Sequence, residues 1–255
     1  MKQFIKNSNN VDLCVQIFEP STNTDKAKLA IVCHGITGYK EQDVILQTAQ
    51  TLTYCGYSVI TFDTRNSRGE SFNNHTCATL SSMYGDLQSV INWAKTQKFY
   101  NEPFLLAGHS LGGSVILKYA EKYPQSVTHL ILISSIFDGK EFLKNTQEST
   151  PEFFNQLKNG GIIRTRDKVD CYLDDSYLHD FMKHDLYSNS HNLNMPVLII
   201  SGDSDIVSRV NNNERFYQNL KCKKEICILQ NCSHIYEEES NKLDLHNTIK
   251  NFLIP

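Results

Sequence analysis

Long apolar runs are absent from this sequence. No stretch approaches the roughly 18 consecutive apolar residues of a membrane-spanning helix. The first ten residues also lack the apolar core of a secretory signal peptide. The sequence therefore predicts no integral membrane segment, and we expect a cytoplasmic protein.

An excess of charge of one sign is also lacking. The chain of 255 residues has 25 Lys and Arg against 28 Asp and Glu, which gives a net charge of −3. This balance provides no basic surface for nucleic acids or for anionic membranes. We therefore expect a small-molecule substrate and no nucleic acid partner, while the sequence leaves open whether the chain forms homo-oligomers.

Paired cysteine motifs are missing as well. The eight cysteines are about 3% of the chain, well below the density of small disulfide-linked secreted domains. Cys222, Cys227 and Cys232 are five residues apart, which differs from the C-x-x-C spacing of zinc and redox sites. We expect free thiols that behave as small apolar side chains, and no metal site.

What the sequence does contain is a series of short apolar runs bounded by Gly, Pro, Asn or Asp. Because the runs are continuous rather than alternating, both faces must be buried, as in parallel strands covered by helices. Amphipathic segments of helical length lie between them, and this alternation predicts a doubly wound α/β sheet. The runs are residues 29–33, 57–62, 104–107, 130–133, 197–200 and 226–229, and the helical segments are about 41–55, 79–96, 111–122, 209–219 and 240–253.

The N-terminal region has a different pattern. Residues 11–18 alternate between apolar and polar side chains, as expected of a half-exposed antiparallel strand. We expect its hairpin partner to begin at residues 4–5.

Residues 138–190 interrupt the alternation of strands and helices, and we interpret them as a lid inserted into a single domain of residues 1–255. Residues 138–185 contain 7 basic and 10 acidic side chains, so this segment accounts for the net charge of the chain. Its aromatic residues favour an apolar acyl or aryl pocket, although packing of the insertion onto the domain explains them equally well. These residues are Phe142, Phe153, Phe154, Tyr172, Tyr177 and Phe181.

A Gly-x-Ser-x-Gly motif at residues 108–112 lies between a predicted strand and a predicted helix. A serine on such a sharp turn has a strained backbone, and flanking glycines let the strand and the helix approach each other. In this setting the motif is typical of a catalytic nucleophile. We therefore identify Ser110 as the candidate nucleophile.

A serine hydroxyl needs a base to remove its proton and a third group to orient that base. Asp205 follows the run at 197–200, and His234 follows the run at 226–229. Both loops would lie at the carboxyl edge of the sheet, in the chain order Ser, Asp, His expected for this topology. The sequence therefore predicts Asp205 and His234 as partners of Ser110.

Two other acidic residues remain alternatives for Asp205. Asp203 lies two residues earlier in the same loop, where it could instead order that loop, and Asp138 follows the run at 130–133. The remaining histidines that we considered lie in or next to the insertion or in the last helical segment. These are His179, His184, His191 and His246.

Acyl transfer also needs N–H donors aimed at the oxyanion of its tetrahedral intermediate. Residues 34–38, His-Gly-Ile-Thr-Gly, follow the first buried run and can turn the backbone N–H of Ile36 toward the N–H of Leu111. We expect Ile36 and Leu111 to form an oxyanion hole. His34 would then brace its loop by hydrogen bonds.

Together these pieces resemble the α/β-hydrolase superfamily across essentially the whole chain. The likeness is strongest to its small carboxylesterases and related acyl hydrolases, including the cinnamoyl and feruloyl esterase group. It implies a mostly parallel eight-stranded sheet flanked by helices, with a lid between the sixth and seventh strands. Residues 62–71 also match a loop of this family, with one extra residue before Gly69. In this loop we expect Asp63 and Arg65 to form a bracing ion pair.

The resemblance implies a serine hydrolase that cleaves carboxylic esters with a Ser110, His234 and Asp205 triad. No metal or organic cofactor is required for this chemistry. Lysophospholipase or thioesterase activity is an alternative. A hydrolase-fold protein that binds a ligand with little turnover is another.

Overall fold

The computed structural model describes residues 1–20, 28–73, 78–159, 161–164, 170–173 and 175–254. Ten strands are found in these residues, and eight of them form one central sheet. The strands of that sheet are β1 (Lys2–Lys6), β2 (Asp12–Phe18), β3 (Lys28–Cys33), β4 (Tyr57–Phe62), β5 (Phe104–His109), β6 (Val127–Ile133), β9 (Val197–Gly202) and β10 (Lys224–Leu229).

The sheet has the spatial order β1-β2-β4-β3-β5-β6-β9-β10. Strand β2 is antiparallel to both β1 and β4, and all other neighbours are parallel. The predicted mostly parallel eight-stranded sheet is therefore confirmed, including its antiparallel N-terminal hairpin.

Eight α-helices accompany the strands in the described residues. Helices α2, α3 and α7 contribute to the core on one face of the sheet, and α1 and α8 to the core on the other. The helices are α1 (Asp43–Tyr54), α2 (Leu80–Ala94), α3 (Leu111–Lys122), α4 (Gly139–Ser149), α5 (Pro151–Asn159), α6 (Asp175–Met182), α7 (Val210–Asn219) and α8 (Glu239–Leu253).

Alternate residues of the central strands pack into these two cores. In β3, the side chains of Leu29, Ile31 and Cys33 belong to one core, whereas those of Ala30 and Val32 belong to the other. Burial on both faces explains why the central strands appear in the sequence as continuous apolar runs.

Helix α2 illustrates how local sequence sets an element boundary. The Thr79 hydroxyl accepts a hydrogen bond from the Ser82 backbone N–H at 3.1 Å, and the Ser82 hydroxyl accepts one from the Thr79 N–H at 2.9 Å. This reciprocal capping satisfies two N–H groups that the first helical turn would leave unpaired.

No helix in the described residues is long and apolar enough to cross a membrane.

The segment between β6 and β9 contains helices α4, α5 and α6. It also contains an antiparallel hairpin of β7 (Gly161–Arg164) and β8 (Asp170–Leu173). The segment therefore lies between the sixth and seventh strands of the central sheet, counted along the chain. Its action as a lid stays a prediction.

Three aromatic side chains of this insertion are buried and pack against one another. The ring centroids of Phe142 and Phe181 are 6.0 Å apart, and those of Tyr177 and Phe181 are 6.3 Å apart. All three belong to the core on the α2 and α3 face of the sheet. They therefore support the packing explanation, while the side chains of Phe153 and Tyr172 lie outside the described residues.

Two helical glycines provide a test of how closely the elements approach. A Cβ atom at Gly112 in α3 would overlap the backbone carbonyls of Cys33 and His34 at the end of β3, whereas a Cβ at Gly85 in α2 would be 3.9 Å from its nearest neighbour. We expect Gly112→Ala to lower the free energy of unfolding by about 3 kcal/mol or more, because backbone atoms cannot make room.

The matched variant Gly85→Ala should be neutral or should stabilise the protein by up to about 1 kcal/mol, because alanine favours helix. Urea denaturation followed by circular dichroism measures both variants. Equal stability of Gly112→Ala and the wild type would contradict the close contact between α3 and β3.

Candidate active site

Ser110 occupies the turn between β5 and α3. Its φ of 54° and ψ of −124° place a non-glycine residue in a strained conformation. Two backbone hydrogen bonds hold the turn: the Ser110 N–H donates to the Ile133 carbonyl at 2.9 Å, and the Ser110 carbonyl accepts from the Gly113 N–H at 3.0 Å. The strained turn places the serine at the carboxyl edge of the sheet.

The loop after β3 approaches Ser110 very closely. A Cβ atom at Gly35 would be 2.9 Å from the Ser110 Cβ and 3.4 Å from its Oγ. Real Cβ atoms essentially never come within 3.0 Å of another heavy atom. Glycine at position 35 is therefore a steric requirement of this arrangement.

The structure brings together the three side chains that the sequence predicted. His234 Nε2 is 3.0 Å from Ser110 Oγ, and His234 Nδ1 is 2.8 Å from Asp205 Oδ2. A carboxylate can only accept, so Nδ1 donates to Asp205 and Nε2 is left to accept from the serine hydroxyl. The arrangement can therefore remove a proton from Ser110.

Asp205 is fixed and kept ionised by its surroundings. Burial alone would raise the pKa of Asp205, but the charge and hydrogen bond of His234, aided by hydrogen bonds from Ser208 and Ser134, outweigh burial and lower it. The second carboxylate oxygen accepts the backbone N–H groups of Val207 and Ser208, each at 2.8 Å. An ionised, oriented carboxylate holds the imidazole in one tautomer.

The alternative acids have other partners. Asp203 Oδ1 accepts the Cys232 N–H at 3.3 Å and the Ser204 hydroxyl at 2.9 Å, so Asp203 orders its loop. Asp138 caps α4 by accepting the N–H groups of Lys140 and Glu141. Neither contacts His234 in the described residues.

His34 braces its loop, as the sequence predicted. Its Nδ1 donates to the Gly35 carbonyl at 2.7 Å, and its Nε2 accepts the Thr64 N–H at 3.1 Å. Burial lowers the pKa of His34, so the ring stays neutral.

Two backbone donors remain near Ser110. The N–H of Leu111, at the first position of α3, has no intrahelical partner. The N–H of Ile36 makes no backbone hydrogen bond to the described residues. The oxyanion hole of Ile36 and Leu111 stays a prediction.

The loop after β4 corrects one prediction. Asp63 and Arg65 do not pair with each other; Arg65 binds Asp86 of α2 at 2.6 Å, and Asp63 binds Lys40 Nζ at 3.1 Å. Each residue does brace the loop, but through a partner that lies distant in sequence. Adjacency in the loop was therefore the wrong guide to pairing.

One cluster has the geometry of a metal ligand set. Ligand atoms of Cys14, Asp63 and Glu70 lie within 4.8 Å of one another. However, the buried Lys40 ammonium is 3.1 Å from Asp63 and 2.6 Å from Glu70. The lysine thus already supplies the positive charge that these carboxylates require, and the cluster is an ion-pair network.

Access to the three side chains is narrow, since Ser110 is 4% exposed and the His234 side chain is 18% exposed. A cavity of about 810 Å³ lies between the insertion and α7, lined in part by Phe137, Met182 and Arg215. Its lining does not include the three side chains, so this cavity is separate from the reacting atoms.

Sequence reasoning missed a layer of residues behind these side chains. His109 donates from Nε2 to the His234 carbonyl at 2.8 Å, and the Tyr236 hydroxyl is 3.1 Å from Ser134 Oγ. Each is close in sequence to a candidate residue or to a strand end, but no spacing or periodicity reveals the contacts. They arise only when β5, β6, β9 and β10 assemble into one sheet.

Comparison with known proteins agrees with this architecture. The hydrolase family described as serine aminopeptidase, S33, matches residues 24–241. The chain belongs to this family. A relationship to α/β hydrolases, inferred from the sequence motifs, is thereby confirmed.

Solved structures of similar fold cover nearly the whole chain. Est1E from Butyrivibrio proteoclasticus with bound ferulic acid superposes with a TM-score of 0.81 at 21% identity, over 99% of this chain and 98% of that one. Alpha/beta hydrolase domain-containing protein 10 from mouse gives a TM-score of 0.76 at 18% identity, over 99% and 98%. These matches establish the α/β-hydrolase fold.

Matches to curated sequences are local. A 1-acylglycerol-3-phosphate O-acyltransferase from Arabidopsis thaliana is 40% identical over 80 residues, which are 31% of this chain and 19% of that protein. A probable enzyme of the same name from Oryza sativa subsp. japonica is 37% identical over 78 residues, 30% and 18% of the two chains. The match thus spans about a fifth of each relative.

Proposed function

We propose that this chain is a serine hydrolase that cleaves carboxylic esters through an acyl-enzyme intermediate. The observation that carries the proposal is the continuous hydrogen-bond chain from Ser110 Oγ through His234 to Asp205, with contacts of 3.0 and 2.8 Å. Est1E, a neighbour whose structure holds ferulic acid, and other neighbours named esterases support an ester substrate.

In the first half of the reaction, Ser110 Oγ attacks the acyl carbonyl carbon while His234 Nε2 takes the hydroxyl proton. The carbonyl oxygen becomes an oxyanion, which the N–H groups of Ile36 and Leu111 stabilise. The intermediate then collapses: the ester C–O bond breaks, and the alcohol leaves with the proton from Nε2.

In the second half, water attacks the acyl carbonyl carbon and gives a proton to His234 Nε2. Collapse of the second intermediate releases the carboxylic acid and returns the proton to Ser110. Asp205 stays ionised throughout and balances the imidazolium that forms in each half. No step requires a metal or an organic cofactor.

The substrate we propose is a small ester with an apolar acyl or aryl group. A lysophospholipid or thioester substrate is the second candidate, and the local similarity to plant 1-acylglycerol-3-phosphate O-acyltransferases favours an acylated glycerol. The cysteines also bear on cellular location. The six cysteines whose side chains are described are free, and free thiols persist in reducing compartments. We therefore propose a cytoplasmic location. Cys77 and the side chain of Cys171 lie outside the described residues.

The nucleophile can be tested with a fluorophosphonate probe. We expect the probe to label the wild type and not Ser110→Ala, because only an activated serine attacks such a phosphorus centre. The control is Ser135→Ala, which removes another buried serine hydroxyl near this edge of the sheet and should leave labelling intact. Failure to label the wild type would favour the binding-protein alternative.

Turnover of p-nitrophenyl esters of increasing acyl length identifies the substrate class. We expect hydrolysis of these esters. A second panel of esters with an aromatic acyl group extends the test to feruloyl-type substrates. A preference for acetyl esters would contradict a pocket for an apolar acyl or aryl group. Cleavage of aminoacyl anilides with no cleavage of any ester would contradict the proposed ester activity.

The role of Asp205 can be separated from that of Asp203. We expect Asp205→Asn to lower kcat by about 10³- to 10⁴-fold, because an amide cannot enforce the required tautomer of His234. Asp203→Asn keeps an acceptor oxygen for the Cys232 N–H and should change kcat by less than about threefold, as usual for an exposed residue outside the reacting groups. Steady-state kinetics on one ester measure both, and equal losses would contradict the assignment.

A further inference from the structure

His109, the residue just before the candidate nucleophile, is buried against the candidate base. It is 2% exposed, and its Nε2 is 2.8 Å from the His234 carbonyl oxygen. A carbonyl oxygen only accepts, so Nε2 carries the proton and donates it. His109 Nδ1 is therefore unprotonated, and it has no hydrogen-bond partner among the described residues.

The ring of His109 is also packed between two rings of the loop after β10. Its centroid is 4.9 Å from that of His234 and 6.2 Å from that of Tyr236, with the Tyr236 ring nearly perpendicular to it. Tyr236 is fully buried, and its hydroxyl is anchored to Ser134 at 3.1 Å. His109 is therefore held by one hydrogen bond and two ring contacts.

Adjacent residues of one strand end thus contact the base at two points. His109 holds the backbone carbonyl of His234, while Ser110 Oγ meets the Nε2 at the far end of the same residue. The dipeptide His109–Ser110 therefore contacts both the backbone and the ring of His234. A misplacement of about 1 Å between reacting groups can cost about 100-fold in rate.

The charge state of His109 suits this position. The titratable groups that shift the pKa of His109 are His234, Asp205 and His34. The Tyr236 ring also packs against the His109 ring. Burial, followed by the charge of His234, lowers the pKa of His109 to about 3. His109 is therefore neutral near pH 7. A neutral ring beside His234 does not oppose the positive charge that His234 gains during attack.

We propose that His109 is a positioning residue for ester hydrolysis. It holds His234 Nε2 within hydrogen-bonding distance of Ser110 Oγ and leaves His234 free to become charged. This inference rests on the proposed function, because it assigns His109 a part in the same reaction. His109 acts through His234 and does not contact the substrate in this proposal.

Two substitutions separate the functions of the ring and of its N–H. His109→Phe keeps a ring of similar size and removes the donor, and His109→Gln keeps a donor. We expect His109→Phe to lower kcat by about 10- to 100-fold with KM changed less than about threefold, because geometry of attack is lost while binding is retained. His109→Gln should recover part of the loss.

The control is His129→Phe, which replaces another histidine whose ring packs on Phe252 away from the site and should leave kcat unchanged. Because burial keeps His109 neutral, its titration should not contribute to the acidic limb of kcat/KM against pH in the wild type. Thermal melting shows whether each variant is folded.

The outcomes are distinguishable. Full kcat in both folded His109 variants would overturn the inference, as would equal losses in both that match the loss of thermal stability. An acidic limb that changes shape between the wild type and folded His109→Phe would show that His109 titrates and would overturn its neutral role. By contrast, absence of probe labelling and ester turnover in the wild type would contradict the proposed function itself.

Discussion

The candidate site depends on backbone segments that approach one another at the carboxyl edge of the sheet more closely than side chains would permit. The loop after β3 touches Ser110 through Gly35, and α3 touches the end of β3 through Gly112. A Cβ at Gly202, at the end of β9, would likewise overlap the carbonyl of Cys232 in the loop after β10. These contacts hold the loops that carry the proposed nucleophile, acid, base and oxyanion donors within reach of one another, so the proposed chemistry depends on a steric constraint.

Burial and hydrogen bonding determine which neighbouring side chain can accept the proton of Ser110. Asp205 keeps a lowered pKa despite its burial, because His234 and several donors surround it. Burial lowers the pKa of both His34 and His109, so these two imidazoles stay neutral. Of the three neighbouring histidines, His234 alone faces a carboxylate through one nitrogen and Ser110 through the other. In this account the serine proton therefore has a single acceptor.

Much of the sheet and the candidate site could be predicted from sequence, because both depend on local signals. Strands buried on two faces leave continuous apolar runs, and residues that follow them must lie at one edge. The sequence favoured Asp205 but left Asp203 as an alternative, since both follow β9 and the assignment depends on which carboxylate faces His234. The wrong pairing of Asp63 with Arg65 and the omission of His109 share one cause: their partners are distant in sequence and adjacent only after folding. The insertion contains no recognised sequence motif, so its helices and its hairpin could not be predicted.

The most direct test of the account is the covalent intermediate. The protein is mixed with a p-nitrophenyl ester, quenched in acid during turnover, digested and analysed by peptide mass spectrometry. The account predicts an added acyl mass on the peptide that contains Ser110, and its loss in Ser110→Ala together with turnover. An acyl group found on another residue, or ester turnover that survives in Ser110→Ala, would contradict it.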